Sequence, residues 1–387
     1  MPPIPRDRSD DYTADMAEWR RAFLREHTSV DLPHVASASF PYASLAGNIE
    51  NAVGAAQVPL GLAGPLLVRG EHIDGEVFVP MATTEGTLVA SHSRGMRVLS
   101  EAGGAKVTIL ERFMQRAPVF HFDDAREARD FGAWLTDNFA GVKTAAEATT
   151  STGRLSHIEQ YGVSRMRYLR MNFTTGDAAG QNMSGKAAKA ACEWIVGAYG
   201  KPLRYTLSGA IDTDKKHSHL NTLHSRGARV VAEVTLPGEL VRERLHVDTR
   251  DLYRARQVST LGGMLAGTTN NGLHAANGLA ALFIATGQDA ANVAESQAGL
   301  TYVELGEDGS LYWSLTLPSL IMATYGGGTG LATQRECLAV MDCVGTGKVE
   351  RLLEITAATC LAGELSLAAA VVGDHWVESH DRMGRNR

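Results

Sequence analysis

Apolar residues recur along this chain at two spacings, and the switches between them mark its elements. Residues 10–27 carry Ala14, Met16, Trp19, Phe23 and Leu24 at roughly helical intervals, which predicts a helix, followed by a Ser- and Pro-rich connector to about residue 45. Residues 72–80 read as a strand. Thr83-Thr84-Glu85 then opens a run in which Leu88, Val89, Met96 and Val98 suit a helix over 83–99, with Glu85 in its first turn. Strands are expected at 107–113 and 117–122, a helix at 125–138, and a strand at 166–173 that enters Gly176-Asp-Ala-Ala-Gly180 before a helix over 182–199. Strands at 203–207 and 228–236 flank a polar loop carrying 212–216. The remainder alternates helices at 273–286 and 349–370 with strands at 301–305 and 311–317. The order of the middle elements suggests a compact split βαβ unit.

Length and charge narrow this picture. The 387 residues are enough for two or three units, and 44% hydrophobic with 21% charged residues excludes a disordered chain. A net charge of −6 with no local basic patch argues against nucleic acid as a partner. Residues 1–21 contain no apolar core of the kind a signal peptide needs, and Cys192, Cys337, Cys343 and Cys360 form no C-x-x-C pair. A reducing, cytoplasmic setting with free thiols is expected. The charge-free stretches 257–288 and 309–334 are interrupted throughout by Gly, Thr, Asn and Gln, so they are expected to be buried soluble structure, with no membrane contact.

The 40 glycines, roughly a tenth of the chain against a usual ~7%, cluster where chemistry is to be sought. Gly180-Gln-Asn-Met-Ser-Gly185-Lys186 nearly spells a P-loop, but Ala187 stands where a magnesium-binding hydroxyl belongs. What remains is an anion site at a helix start, suited to a dinucleotide pyrophosphate, or a plain tight turn. Gly326-Gly-Gly-Thr-Gly330 falls short of a Rossmann fingerprint at Leu331. His217, His219 and His224 lack a carboxylate or thiol to complete a metal set and read as surface histidines. Asp212-Thr-Asp214-Lys215-Lys216 is either a solvated charge run or a loop that holds one ammonium against a developing oxyanion. Asp289, alone at the end of a charge-free run, either caps the next element or partners a buried lysine. Glu85 is a helix-start carboxylate or a proton donor.

Taken in order, several segments resemble the catalytic region of the 3-hydroxy-3-methylglutaryl-CoA reductase family. They are Glu50-Asn-Ala-Val-Gly54 with Pro59-Leu-Gly-Leu-Ala-Gly-Pro65, Pro80-Met-Ala-Thr-Thr-Glu-Gly86, Gly176-Asp-Ala-Ala-Gly-Gln-Asn182, Thr213-Asp-Lys-Lys216, Gly287-Gln-Asp289 and Gly326-Gly-Gly-Thr329. The resemblance runs from about Asn48 to the C-terminus. It implies an α+β fold in which a large domain surrounds a central helix and carries an inserted ferredoxin-like NAD(P)-binding domain. The expected boundaries are an N-terminal helical segment over 1–46, the large domain over 47–117 and 207–380 with a lysine-bearing loop at 207–217, the small domain over 118–206, and a tail over 381–387.

The same resemblance implies NAD(P)H-dependent reduction of hydroxymethylglutaryl-CoA to mevalonate through two hydride transfers. It also implies a CoA thioester as substrate and a homodimer or larger oligomer with active sites at the subunit interface. Lys215 would stabilise the oxyanion at both steps, Asp289 would keep it protonated, Glu85 would give a proton to the aldehyde, and His380 would protonate the departing thiolate. Arg116, Ser208, Asp214, Lys216 and Asn277 match substrate-binding positions. Asp177, Asn182, Gly326, Gly327, Gly328 and Thr329 match cofactor contacts, and Arg154 lies where a 2′-phosphate is bound, favouring NADPH over NADH. Four segments depart from the family pattern. Asp-Ala-Met-Gly-Met-Asn becomes Asp177-Ala-Ala-Gly-Gln-Asn182, the Asn after Ser-Gly becomes Ala210, Asn-Ala-His-Ala becomes Gly272-Leu-His-Ala275, and Gln-Asn becomes Asn292-Val293. Two other readings therefore stay open: a reductase of a different acyl thioester or aldehyde, and a non-redox relative that keeps the fold.

Overall fold

Twenty-four residues from Val349 to Val372 form a helix that is buried along nearly its whole length, on every side. In the computed structural model, which describes residues 2–373, this helix passes through the largest apolar core of the described residues. Its length and composition would suffice to cross a membrane, yet its surroundings are the protein's own strands and helices. Leu352, Leu353, Ile355, Leu361 and Leu365 supply the apolar contacts. Two buried carboxylates interrupt them. Glu354 accepts the backbone N–H groups of Glu71, His72 and Ile73 at 2.9–3.2 Å. Glu364 accepts those of Leu273, His274 and Ala275 at 2.7–3.0 Å. Burial holds the Glu364 carboxyl above its ordinary value, an effect that these N–H donors and the Arg256 charge offset only in part. The carboxylates thereby satisfy amides that the turn over 71–73 and a helix start would otherwise leave without a protein partner.

The described residues form ten strands, of which the first, third, eighth and tenth pack on this helix: Leu60–Arg69 (β1), Asp74–Ala82 (β2), Ala105–Arg116 (β3), Val119–His121 (β4), Arg154–Val163 (β5), Met166–Thr174 (β6), Arg204–Thr206 (β7), Gly227–Leu236 (β8), Leu300–Leu305 (β9) and Leu311–Leu320 (β10). They join in one mixed sheet of order β7-β4-β6-β3-β8-β10-β9, with β1 and β2 branching from β3 and β5 pairing β6. All pairings are antiparallel except β1 with β3. The long strand β3 is the junction: Lys106 to Phe113 pair β8, whereas Met114 to Arg116 pair β6. Beyond it, β7-β4-β6-β5 and the helices Ala125–Asp137, Phe139–Glu147 and Gln181–Ala198 enclose a second core around Phe120, Phe131, Leu169, Phe173, Ala188 and Cys192. The fold is thus mixed α and β, built on a largely antiparallel sheet.

Several expectations are corrected. The helix expected over 83–99 begins at Leu88, because Thr87 is left-handed at φ +71°; Glu85 lies in the loop before it, its N–H bonded to the Thr83 hydroxyl. Strand β1 went unseen because Gly61, Gly64 and Pro65 mask its alternation, and its pairing with β2 is irregular between Ala63 and Leu66. Strand β5 and the helices Phe139–Glu147 and Gly238–Leu245 were likewise not expected. The charge-free stretch 257–288 is split by Gly267 between the helices Thr249–Ala266 and Ala275–Thr286. Only the second is buried; the first leaves Val258, Leu261, Met264 and Leu265 at 68–90% exposure. His219 opens a short helix instead of sharing a strand face with His217, and His217 bonds Thr269, which removes the metal geometry.

The helix Leu88–Glu101 meets the central helix so closely that a Cβ on Gly95 would sit on the carbonyl of Ala362. Alanine gains ~1 kcal/mol in helix propensity, but backbone overlap of this kind costs ~1–3 kcal/mol or more. Gly95→Ala is therefore expected to lower the denaturant midpoint. Gly197→Ala, where nothing lies within 4 Å of the added carbon, is expected to raise it. Equal effects from the two in chemical denaturation would contradict this packing.

Candidate active site

The loop over 207–217 departs from ordinary backbone three times: Ala210, Thr213 and Lys215 all have positive φ, between 55° and 66°. Each such residue costs ~1–2 kcal/mol, so the surroundings must impose the shape. Ala210 stands where the family pattern has Asn, a residue that tolerates this conformation better. Buried Asn221 donates to the Lys216 carbonyl at 3.2 Å and accepts from the Thr213 hydroxyl. The Lys215 N–H donates to Glu295 Oε1 at 3.1 Å. Fully buried Arg226 ties these parts together, reaching Asp214 Oδ1 at 2.6 Å, Glu295 Oε1 at 3.4 Å, and the carbonyls of Gln115 and Asp212. The loop is therefore a braced structure and not a solvated charge run.

At its tip, Lys215 Nζ lies 2.9 Å from Asp289 Oδ2. The hydrogen bond to Asp289 raises the Lys215 pKa above its ordinary value, against a smaller desolvation effect, with help from the charges of Asp214 and Glu295. Both side chains stay about two-fifths exposed, so the ammonium is held charged yet reachable by a ligand. Asp289 is aimed by the turn that ends the helix Ala275–Thr286. Gly287 is left-handed there, and Gln288 exchanges two hydrogen bonds with the backbone of Ala323 at 2.8 and 2.9 Å. A side chain at Gly287 would overlap the carbonyl of Gly328, so the glycine turn Gly326–Thr329 packs directly on the turn that carries Asp289. Gly326 and Gly327 have positive φ and open space where side chains would be, and the Thr329 hydroxyl closes the turn on the Gly326 carbonyl at 2.8 Å.

Two further clusters lie beside this pair. Arg116 and Ser208 converge on Asp212 Oδ2 at 3.3 and 3.2 Å, and Arg116 also donates to the Gln181 carbonyl at 3.2 Å. The Arg116 Nε is buried with no partner among the described residues, a donor left over for an anionic ligand. Lys216 Nζ rests on the Asp214 carbonyl at 2.9 Å. Separately, Asn277 Nδ2 lies 3.5 Å from Glu85 Oε1 and 3.2 Å from His274 Nδ1. Burial pushes the His274 imidazole down to about 3, so it is neutral and accepts from Asn277. Asn277 is in the first turn of its helix, about 14 Å of helix rise from Thr286, with Asp289 beyond. One chain thus brings Lys215 to Asp289 and Glu85 to Asn277, but does not join the two pairs.

A cleft of about 480 Å³ opens between the glycine turn and the start of the helix Gln181–Ala198. Thr152, Asp177, Gly180, Met183, Thr329 and Arg335 line it. Asp177 forms its wall while its carboxylate accepts the N–H groups of Gly347, Lys348 and Val349, capping the central helix. The residue thus lines the cleft while its carboxylate is committed to the helix start. Asn182 is exposed in the first turn after Gly180, and Arg154 folds onto the carbonyls of Ser151 and Gly153. His380 lies outside the described residues.

The family model described as hydroxymethylglutaryl-coenzyme A reductase matches residues 16–385. The chain belongs to the hydroxymethylglutaryl-coenzyme A reductase family. It is 40% identical over 375 residues to the 3-hydroxy-3-methylglutaryl-coenzyme A reductase of Aeropyrum pernix, covering 95% of this chain and 89% of that protein. The corresponding reductase of Methanothermobacter thermautotrophicus is also 40% identical, over 95% of this chain and 92% of its own length. Among solved structures, a class II reductase from Streptococcus pneumoniae bound to NADPH in open conformations shares the fold. Its TM-score is 0.68 at 21% identity, covering 92% of this chain and 86% of that one.

Family motifs alone did not identify every residue that builds this site. Glu295 is the only charged residue between Asp289 and Glu304, the same signal of burial that marks Asp289, and it lies outside the family motifs. Arg226 carries no such signal, since its role depends on segments that meet only in the fold. Arg335 enters the cleft from the helix Ala332–Val340, outside the family motifs. Because Asp289 is the first cause of the raised Lys215 pKa, Asp289→Asn is expected to let Lys215 lose its proton at lower pH. The alkaline limb of kcat/KM against pH should move toward acid. An unmoved limb would show that Asp289 does not hold the charge of Lys215.

Proposed function

We propose that this protein is an NAD(P)H-dependent reductase that converts hydroxymethylglutaryl-CoA to mevalonate by two hydride transfers. The observation that carries this reading is the reachable ammonium of Lys215, held by Asp289 on a turn packed against the glycine turn Gly326–Thr329. The residues present fit a nicotinamide dinucleotide: bare glycines at Gly326 and Gly327, a helix start after Gly180, and a cleft with Arg335 in its lining. Gly326, Gly327, Gly328, Thr329, Asp177 and Asn182 would hold it, with Arg154 near a 2′-phosphate, which makes NADPH the favoured form. When bound, the reduced nicotinamide supplies hydride, two electrons with one proton.

Lys215 takes up the negative charge that develops on the thioester oxygen as its carbon is reduced to a hemithioacetal. The C–S bond then breaks, its electron pair leaves with the CoA sulfur, and His380 protonates that thiolate. At the aldehyde the same ammonium meets the oxygen again, and Glu85 gives the proton that completes the alcohol. Arg116, with its unpartnered Nε, receives the substrate carboxylate beside Ser208 and Lys216, while Asn277 orients Glu85 and Asp214 braces the loop through Arg226.

The strand order β7-β4-β6-β5 with its three helices supports a ferredoxin-like cofactor domain over about 118–206, inserted in the large domain of 47–117 and 207–380. Two copies associate so that one copy's Glu85 faces the other copy's Lys215. The ~14 Å of helix rise that separates Asn277, which meets Glu85, from the end that leads to Asp289 supports this, as does the exposed face of Val258, Leu261, Met264 and Leu265. Burial of the long apolar helix in the core supports a soluble protein, and the four free, buried cysteines support a reducing, cytoplasmic setting.

Purified protein given hydroxymethylglutaryl-CoA and NADPH or NADH should yield mevalonate. Lys215→Ala should lower reduction of thioester and free aldehyde together by ~10²–10³ or more. His380→Gln should slow the thioester by ~10²–10⁴ and leave the aldehyde nearly intact. No saturable change in nicotinamide fluorescence with either cofactor would overturn the reading.

A further inference from the structure

Gln181 and Asn292 stand at two of the departures from the family pattern, and the structure brings them together. Gln181 Nε2 donates to Asn292 Oδ1 at 2.9 Å, across 111 positions of sequence. Asn292 is 2% exposed and ends the turn Ala290–Asn292 that Asp289 opens, its own N–H bonded to the Asp289 carbonyl at 2.9 Å. Gln181 is the first residue of the helix that faces the cleft. Its carbonyl accepts from Arg116 at 3.2 Å and from the Ser184 hydroxyl at 3.0 Å. Gly180 before it is left-handed, and a side chain there would overlap Thr175, so the entry angle of this helix is fixed. A closed circuit results. It runs from Lys215 to Asp289, through the turn to Asn292, across to Gln181, along Arg116 to Asp212, and back into the lysine loop.

We propose that Gln181 and Asn292 form a latch that fixes the cofactor-facing helix start against the Lys215–Asp289 turn, which makes both of them positioning residues for hydride delivery. The proposal rests on the cofactor reading above. Transfer between two bound molecules requires reacting atoms ~3–3.5 Å apart, and a 1 Å misplacement costs ~10²-fold. The chemistry of the pair suits the task. Methionine at 181 could not donate, and glutamine at 292 would be one methylene longer than the present gap accommodates, so the two departures belong together.

The test uses the full chain with Gln181→Met, Asn292→Gln and the double variant, with Gln181→Glu as a same-size residue that cannot donate. Without cofactor, amide hydrogen exchange in the first turn after Gly180 and in residues 290–292 should quicken in every variant. Single-turnover hydride transfer to thioester and aldehyde should slow ~10–100-fold, with a larger isotope effect from 4-deuterated NADPH and a cofactor Kd within ~2-fold of the parent. The double variant should be no slower than the slower single, because both remove one bond. Additive losses, or unchanged exchange and transfer, would overturn the latch. Failure of the parent chain to bind either nicotinamide would instead overturn the cofactor reading, whatever exchange shows.

Discussion

Buried backbone amides must find acceptors, and in this protein three carboxylates on or around one helix supply them. Glu354 and Glu364 lie on the central helix and take the amides of the turn between β1 and β2 and of the start of the helix Ala275–Thr286. Asp177 does the reverse, reaching from the cleft to cap the central helix itself. None of these three carboxylates is paired with a cation in the described residues; their charge is met by aligned N–H groups. Replacing any of them would leave several N–H donors without their acceptor at once, most of them buried or partly buried, which is costlier than losing an ordinary hydrogen bond.

This arrangement locates the chemistry. Because Glu364 fixes where the helix Ala275–Thr286 begins, it sets Asn277 in the first turn and, at the far end, the turn that aims Asp289 at Lys215. Because Asp177 fixes the start of the central helix, the cleft wall is rigid with respect to the core. The lysine loop, strained at three residues, leans on the same body through Glu295 and Arg226. Stability and function are thus coupled: the charged tip is exposed, but Arg226, Glu295 and Asn221, which brace its loop, are buried.

Much of this was legible in the sequence where a local rule governs. The central helix, the strand before Gly176, and the isolation of Asp289 all follow from periodicity or from a lone carboxylate in an apolar run. What stayed hidden was settled by contacts between distant segments. Strand β1 is defined by its pairing more than by its glycine-rich sequence, and Arg226 gains its role only when Asp214 and Glu295 arrive from separate elements. Asp177 illustrates a different limit: a motif names the residue, but only the fold shows that its carboxylate faces a helix start. The exposed face of the helix Thr249–Ala266 shows that an apolar stretch need not be buried within its own chain.

The central claim is that the carboxylates of the central helix hold distant turns as part of one cooperative unit. Native-state amide hydrogen exchange tests it at Glu71, His72, Ile73, Leu273, His274 and Ala275, turn and helix-start positions that would ordinarily exchange by local opening. The account predicts that all six exchange with the free energy of global unfolding, matching the amides of the central helix. Fast exchange of either group, independent of denaturant while the central helix remains protected, would contradict it.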